Sequence, residues 1–224
     1  MLTRDILSSA APEEVFGRLG TGRYLSDDER LASMLEMLQS RPEGEGIWIF
    51  AYGSLIWNPA LEFDLSYRGV LKNWKRAFCM KLTAGRATGD IPGRMLALVP
   101  GAGTEGIAYR LRESDLEQEL VVLWKREMST TSYIPKWEQV ELYNGEVITA
   151  LVFVMSQNDA TFDCNYESES VAECIARAQG PLGTNADYLH RLNNALDENN
   201  ITDEYIIKLS EKVARMHASK KHLQ

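Results

Sequence analysis

Between Ile47 and Met155 the chain is a succession of short extended segments interrupted by one helical stretch, and beyond Glu167 it turns helical. That segregation argues against an alternating, doubly wound parallel sheet and predicts an α+β fold whose strands pair mainly with one another. The expected strands are Ile47 to Tyr52, Tyr67 to Leu71, Trp74 to Leu82, Arg94 to Val99, Gly106 to Leu111, Trp137 to Leu142 and Val147 to Met155. Helices are expected from Ser168 to Gln179, Asn185 to Glu198 and Asp203 to Ala218, separated by Gly180-Pro181-Leu182-Gly183 and Asn199-Asn200. A closed or partly closed barrel suits this order. Asn144-Gly145 should join the last two strands through a type I′ turn, because both residues tolerate positive φ.

Upstream of the strands, Ser26 and Glu29 form a capping box, and Leu31, Met34, Leu35 and Leu38 recur at helical spacing. A helix over Asp27 to Gln39 follows, within a helical N-terminal extension spanning 1–45. Arg41-Pro42-Glu43-Gly44-Glu45-Gly46 ends the extension, so 46–224 is read as the main domain with its C-terminal helices. A chain of 224 residues, 45% hydrophobic and 25% charged, suits one domain with such an addition. Its net charge of −8 provides no basic stripe for a phosphate backbone, so no nucleic-acid partner is expected. No apolar run approaches the ~18 residues of a membrane span, and no signal-peptide core is visible. A cytoplasmic protein with a small-molecule ligand is the expectation, and its oligomeric state is left open. Cys79, Cys164 and Cys174 are widely spaced without a Cys-x-x-Cys pair, which indicates neither a disulfide framework nor a thiolate metal site.

The stretch Phe50-Ala51-Tyr52-Gly53-Ser54-Leu55 runs from an apolar strand directly into a small, flexible pair. Glycine lets the main chain turn sharply and brings peptide N–H groups close to a ligand, while the Ser54 hydroxyl can add a contact. An anion could sit at such a place, and an ordinary tight turn would read the same way.

A second informative place is the helix expected from Asp115 to Met128, introduced by a capping box of Ser114 and Glu117. Leu116, Leu120 and Leu123 form its apolar stripe. At ~100° per residue, Glu127 falls inside the arc of roughly 60° that these leucines span. Burial there would raise its pKa, as general bases working near neutrality require. A structural ion pair with Arg126, Arg94 or Lys125 is the alternative. The segment Ser129-Thr130-Thr131-Ser132-Tyr133 suits a polar pocket or a solvated loop equally.

Other chemistries lack their parts. Ser54 has no Gly-x-Ser-x-Gly surroundings, and His190, His217 and His222 all lie in the C-terminal helical region, where they read as surface residues. No phosphate-binding loop and no paired-histidine motif occurs. An acid/base enzyme with no metal and no cofactor remains.

The combination of Tyr52-Gly53-Ser54-Leu55 after a strand with Trp124-Lys125-Arg126-Glu127 on a later helix resembles the ChaC-type γ-glutamylcyclotransferases. Similar runs are Pro92-Gly93-Arg94, Gly106-Ile107-Ala108-Tyr109-Arg110-Leu111 and Gly180-Pro181-Leu182-Gly183-Thr184-Asn185 with Tyr188 and Leu189. The resemblance covers about Ile47 to Leu189, and the N-terminal extension is similar to that of bacterial members. It implies a mixed β-barrel with flanking helices and a cofactor-independent lyase that converts glutathione to 5-oxoproline and cysteinylglycine. It further implies that Ile49, Phe50, Ala51, Tyr52, Gly53, Ser54 and Leu55 bind the γ-glutamyl carboxylate end, and that Glu127 is the catalytic glutamate. Arg94 and Tyr133 are added as substrate contacts. Two departures are visible: Ala51 stands where many members have glycine, and Met128 to Ser132 makes a longer spacer before Tyr133. Cyclotransfer on other γ-glutamyl amines, or noncatalytic binding of such a ligand, would use the same pocket.

Overall fold

The computed structural model describes residues 3–20, 22–44, 46–167 and 169–221. Two short helices, α1 (Arg4–Ser9) and α2 (Pro12–Phe16), precede α3 (Asp27–Gln39). The capping box that opens α3 is present: Glu29 N donates to Ser26 Oγ at 3.2 Å, and Ser26 N donates to Glu29 Oε2 at 2.8 Å. Its apolar stripe is divided. Met34 is buried and Leu38 packs on the core, whereas Leu31 and Leu35 lie exposed and Arg30 takes a buried flank.

The strands follow as β1 (Trp48–Ala51), β2 (Phe63–Leu71), β3 (Trp74–Leu82), β4 (Gly93–Pro100) and β5 (Thr104–Leu111). Helix α4 (Leu116–Glu127) leads to β6 (Tyr133–Leu142) and β7 (Val147–Met155). Helix α5 (Glu169–Arg177), the two-residue strands β8 (Gln179–Gly180) and β9 (Gly183–Thr184), α6 (Asn185–Glu198) and α7 (Glu204–Lys221) complete the order. Ser168, the expected start of α5, lies outside the described residues.

The order β1-β5-β2-β6-β7 closes into a barrel, while β3 and β4 pair as a separate two-stranded sheet. All barrel neighbours are antiparallel except β7 and β1, whose register Trp48↔Ala150 and Ile49↔Leu151 is parallel and makes the barrel mixed. β1 is buried throughout, as expected of an apolar run with a neighbour on both edges. Gly106 makes its close pairing with β5 possible, because a Cβ at that position would lie 2.4 Å from Ala51 O. Leu7 and Met34 of the N-terminal segment join the same hydrophobic core as the barrel and the C-terminal helices.

Two local expectations are corrected. The β6–β7 hairpin forms, yet Gly145 has φ of +92° while Asn144 is not among the positive-φ residues. Gly145 N donates to Leu142 O at 3.0 Å, so a type I turn with a left-handed glycine replaces the expected type I′ turn. Asn144 Oδ1 accepts from Glu146 N at 3.0 Å, which accounts for its ordinary backbone. At α4, Glu113–Asp115 form a single 3-10 turn and Asp115 is the N-cap, without a side-chain cap bond. The Ser114 hydroxyl turns to Asp115 Oδ2 instead, at 3.0 Å.

Candidate active site

The chain leaves β1 at Ala51 and winds tightly, with Ile56 N donating to Gly53 O at 2.9 Å and Asn58 N to Ser54 O at 3.0 Å. Among the described residues, the amides of Gly53, Ser54 and Leu55 have no hydrogen-bond acceptor. Buried peptide N–H groups are nearly always paired, so three successive free donors mark a place for a ligand's acceptor atoms. Their residues belong to the wall of a cavity of about 390 Å³, lined in part by Phe50, Tyr52, Gly53, Ser54, Leu55, Glu127 and Tyr133.

Three of the residues expected at the site, Ile49, Ala51 and Arg94, lie outside this cavity wall. Ile49 and Ala51 are wholly buried in the barrel wall. Arg94 Nη2 donates to Asp163 Oδ2 at 2.7 Å, while its amide and carbonyl are held by Asn185, so Arg94 serves as a buried ion-pair partner away from the cavity.

Glu127 ends α4, and its side chain keeps 15% exposure, the part that faces the cavity. Its Oε1 lies 3.1 Å from Arg126 Nε. Burial raises the Glu127 pKa, and the opposing charge and hydrogen bond of Arg126 offset this only in part. The ion pair foreseen as an alternative therefore coexists with a place in the cavity. Arg126 is itself pinned, donating through Nη1 to Asn58 O at 2.5 Å and through Nη2 to Ser54 Oγ at 2.8 Å. One guanidinium thus joins the Glu127 carboxylate to the loop after β1. Because Ser54 Oγ accepts from Arg126, its proton remains available for a ligand or for the Tyr188 hydroxyl beside it.

A second buried carboxylate on the same helix provides a contrast. Glu119 accepts from both Arg4 terminal nitrogens, at 2.6 and 2.5 Å, and from Glu62 N at 2.9 Å. Its oxygens are held by three structural donors and it is absent from the cavity wall. Glu127 has one cationic partner and open space.

Phenols complete the cavity. Tyr133 donates to Leu96 O and Tyr52 to Phe153 O, each at 2.7 Å, and burial drives both pKa values well up. Tyr188 enters from α6, its hydroxyl within 3.2 Å of where a Gly53 Cβ would be. The hydroxyl-rich spacer before Tyr133 folds around Asp159, which accepts from Thr131, Ser132 and Thr161. Burial opposes the Asp159 charge, yet these bonds outweigh it and hold the pKa below the usual range. The longer spacer therefore loops out and returns Tyr133 to the cavity.

Sequence reasoning missed Arg126 as the bridge, and also Phe16, Leu19 and Tyr24, which the N-terminal segment adds to the wall. None of these carries a local signal. His190 and His217 are exposed and outside the cavity wall, and His222 lies outside the described residues. Among the described residues no group of three or more His, Cys, Asp or Glu side chains is arranged to hold a metal ion.

A family model described as ChaC-like protein matches residues 47–216. The glutathione-specific gamma-glutamylcyclotransferase of Escherichia coli K12 is 45% identical over 218 residues, covering 97% of this chain and 94% of its own. Gamma-glutamylcyclotransferase 2-1 of Arabidopsis thaliana is 32% identical, over 75% of this chain and 82% of its own. A crystal structure of a γ-glutamylcyclotransferase specific to glutathione from yeast superposes with a TM-score of 0.70 at 23% identity, over 77% of this chain and 97% of that one, a likeness of fold. The chain belongs to the ChaC-like protein family.

Proposed function

We propose that this protein is a glutathione-specific γ-glutamylcyclotransferase, releasing 5-oxoproline and cysteinylglycine without a cofactor. The observation that carries the reading is one cavity lined both by Glu127, a largely buried carboxylate of raised pKa, and by Gly53, Ser54 and Leu55 with their free amides. The E. coli relative's name supplies the substrate.

The substrate's α-amine attacks its own γ-carbonyl, a five-membered lactam closes, and the cysteinylglycine amine departs. Both reactants belong to one molecule, so the protein's first task is to hold it folded, which replaces a bimolecular encounter by a positioned one. The amides after β1 and the Ser54 hydroxyl bind the glutamyl carboxylate. Ionised Glu127 takes one proton from the ammonium and gives it to the leaving nitrogen, and the second proton, shed by the attacking nitrogen as the lactam forms, passes back through Glu127 and leaves on the cysteinylglycine amine as its ammonium. Arg126 keeps the carboxylate in place while tied to the loop that holds the substrate. The phenols of Tyr52, Tyr133 and Tyr188 stay neutral and shape the wall.

Glu127→Gln keeps side-chain shape but removes the base. It should lower 5-oxoproline release from glutathione by about 10²- to 10⁴-fold, the usual worth of general acid/base catalysis, with glutathione binding retained. Near wild-type release by this variant in a direct 5-oxoproline assay would sink the assignment.

A further inference from the structure

Behind the loop that follows β1, on the side away from the cavity, lies a second buried guanidinium. Arg76 of β3 has a side chain only 1% exposed. Its Nε donates to Tyr52 O at 2.7 Å, Nη1 donates to Thr104 Oγ1 at 2.6 Å and to Asp203 Oδ2 at 3.1 Å, and Nη2 donates to Glu105 O at 2.5 Å. Four acceptors from three separate parts of the chain therefore fix its position.

The carbonyl it grips belongs to the Tyr52–Gly53 peptide. No peptide bond in the described chain is cis, so the carbonyl and the N–H of that planar unit point in opposite directions. With Tyr52 O held towards Arg76, Gly53 N–H is directed towards the cavity, where Gly53 faces Leu96 and Tyr188. Glycine has the freest backbone of any residue, so an unheld peptide here could turn over and present its carbonyl to an anion.

We propose that Arg76 is a positioning residue of this site: by holding the Tyr52 carbonyl it fixes the Gly53 N–H towards the substrate's anionic end. The inference rests on the reading of the cavity as a γ-glutamyl site. Arg76 itself lies outside the cavity wall. It acts through one peptide plane, and Asp203, just before α7, ties that plane to the C-terminal helix.

The test compares glutathione with its analogue in which the glutamyl α-carboxylate is a carboxamide. Wild-type protein should prefer the carboxylate. Arg76→Lys retains the charge but loses the multiple anchoring, and should raise KM for glutathione about tenfold, the worth of one charge-assisted hydrogen bond, with less effect on kcat and on the carboxamide. Equal weakening of both substrates would make Arg76 a purely structural residue and overturn the proposal. Should the variant not fold, the intact wild-type protein gives a second measurement: titration with 5-oxoproline should move the Gly53 amide proton downfield in its NMR spectrum. An unmoved Gly53 amide at saturation would equally overturn it. Absence of 5-oxoproline release by the wild type is a different outcome, which removes the functional reading itself and the inference with it.

Discussion

On α4 Glu119 is fully buried and Glu127 largely so, and the partners around each oxygen decide what it can do. Glu119 is held on both oxygens by Arg4 and Glu62, whereas Glu127 has Arg126 on one side and the cavity on the other. Because burial lifts the Glu127 pKa above its ordinary 4.5, the acid limb of kcat/KM should have its midpoint above that value. A pH–rate profile checks this, and a limb at or below 4.5 would contradict it. The same shift has a sign for stability. The fold favours the protonated form, so at pH 7 the ionised group costs stability, and the cost vanishes as pH falls below the raised pKa. Glu127→Gln should therefore melt at or above the wild-type temperature at pH 7, with the difference closing towards pH 4.5. Glu127 was legible because helical phase places it beside Leu116, Leu120 and Leu123. Arg94 was misplaced because its partner, Asp163, lies in a segment without periodicity, and Arg126 was missed as a bridge because its acceptors arise only when the loop at residues 54–59 folds back.

Elements whose ends are chemically local were readable to the residue: α3 between its capping box and the residues after Gln39, α6 between Thr184 and Asn199, and the strands β3 and β7. The barrel order was not, because it depends on which distant strand each edge meets, and β3 with β4 leaves the barrel altogether. One junction between elements shows what the family-like runs accomplish. Asn185, at the start of α6, is fully buried; its Oδ1 accepts from Arg94 N at 2.7 Å and its Nδ2 donates to Arg94 O at 2.8 Å. Gly93 must lack a side chain, since a Cβ there would lie 2.5 Å from Asn185 Oδ1. Asn185→Ala would strand two buried backbone groups and should cost about 2–5 kcal/mol in urea unfolding. It should also lower activity, because α6 carries Tyr188 into the cavity.

Across the whole molecule, the N-terminal segment was legible as helical, but its position was not. It lies upstream of the matched residues 47–216 and yet supplies Phe16, Leu19 and Tyr24 to the cavity wall. Two backbone bonds hold it there: Gly85 N to Phe16 O at 2.5 Å, and Leu25 N to Ser129 O at 2.9 Å, the latter two residues beyond Glu127. Its far end is held by the Arg4–Glu119 pair. Arg4→Ala should speed amide hydrogen exchange across residues 4–16 well before it lowers the melting temperature of the barrel; unchanged exchange there would show the pair to be dispensable. Among the described residues no helix is long and apolar enough to cross a membrane. The parallel pairing that closes the barrel bears on how the chain is made. Both neighbours of β1, β5 and β7, are translated long after it, and the Asp203 that anchors Arg76 emerges later still. On the ribosome, β1 meets β5 about midway through these residues and β7 only later, and the loop that follows β1 gains its Arg76 anchor in full only once Asp203 is out.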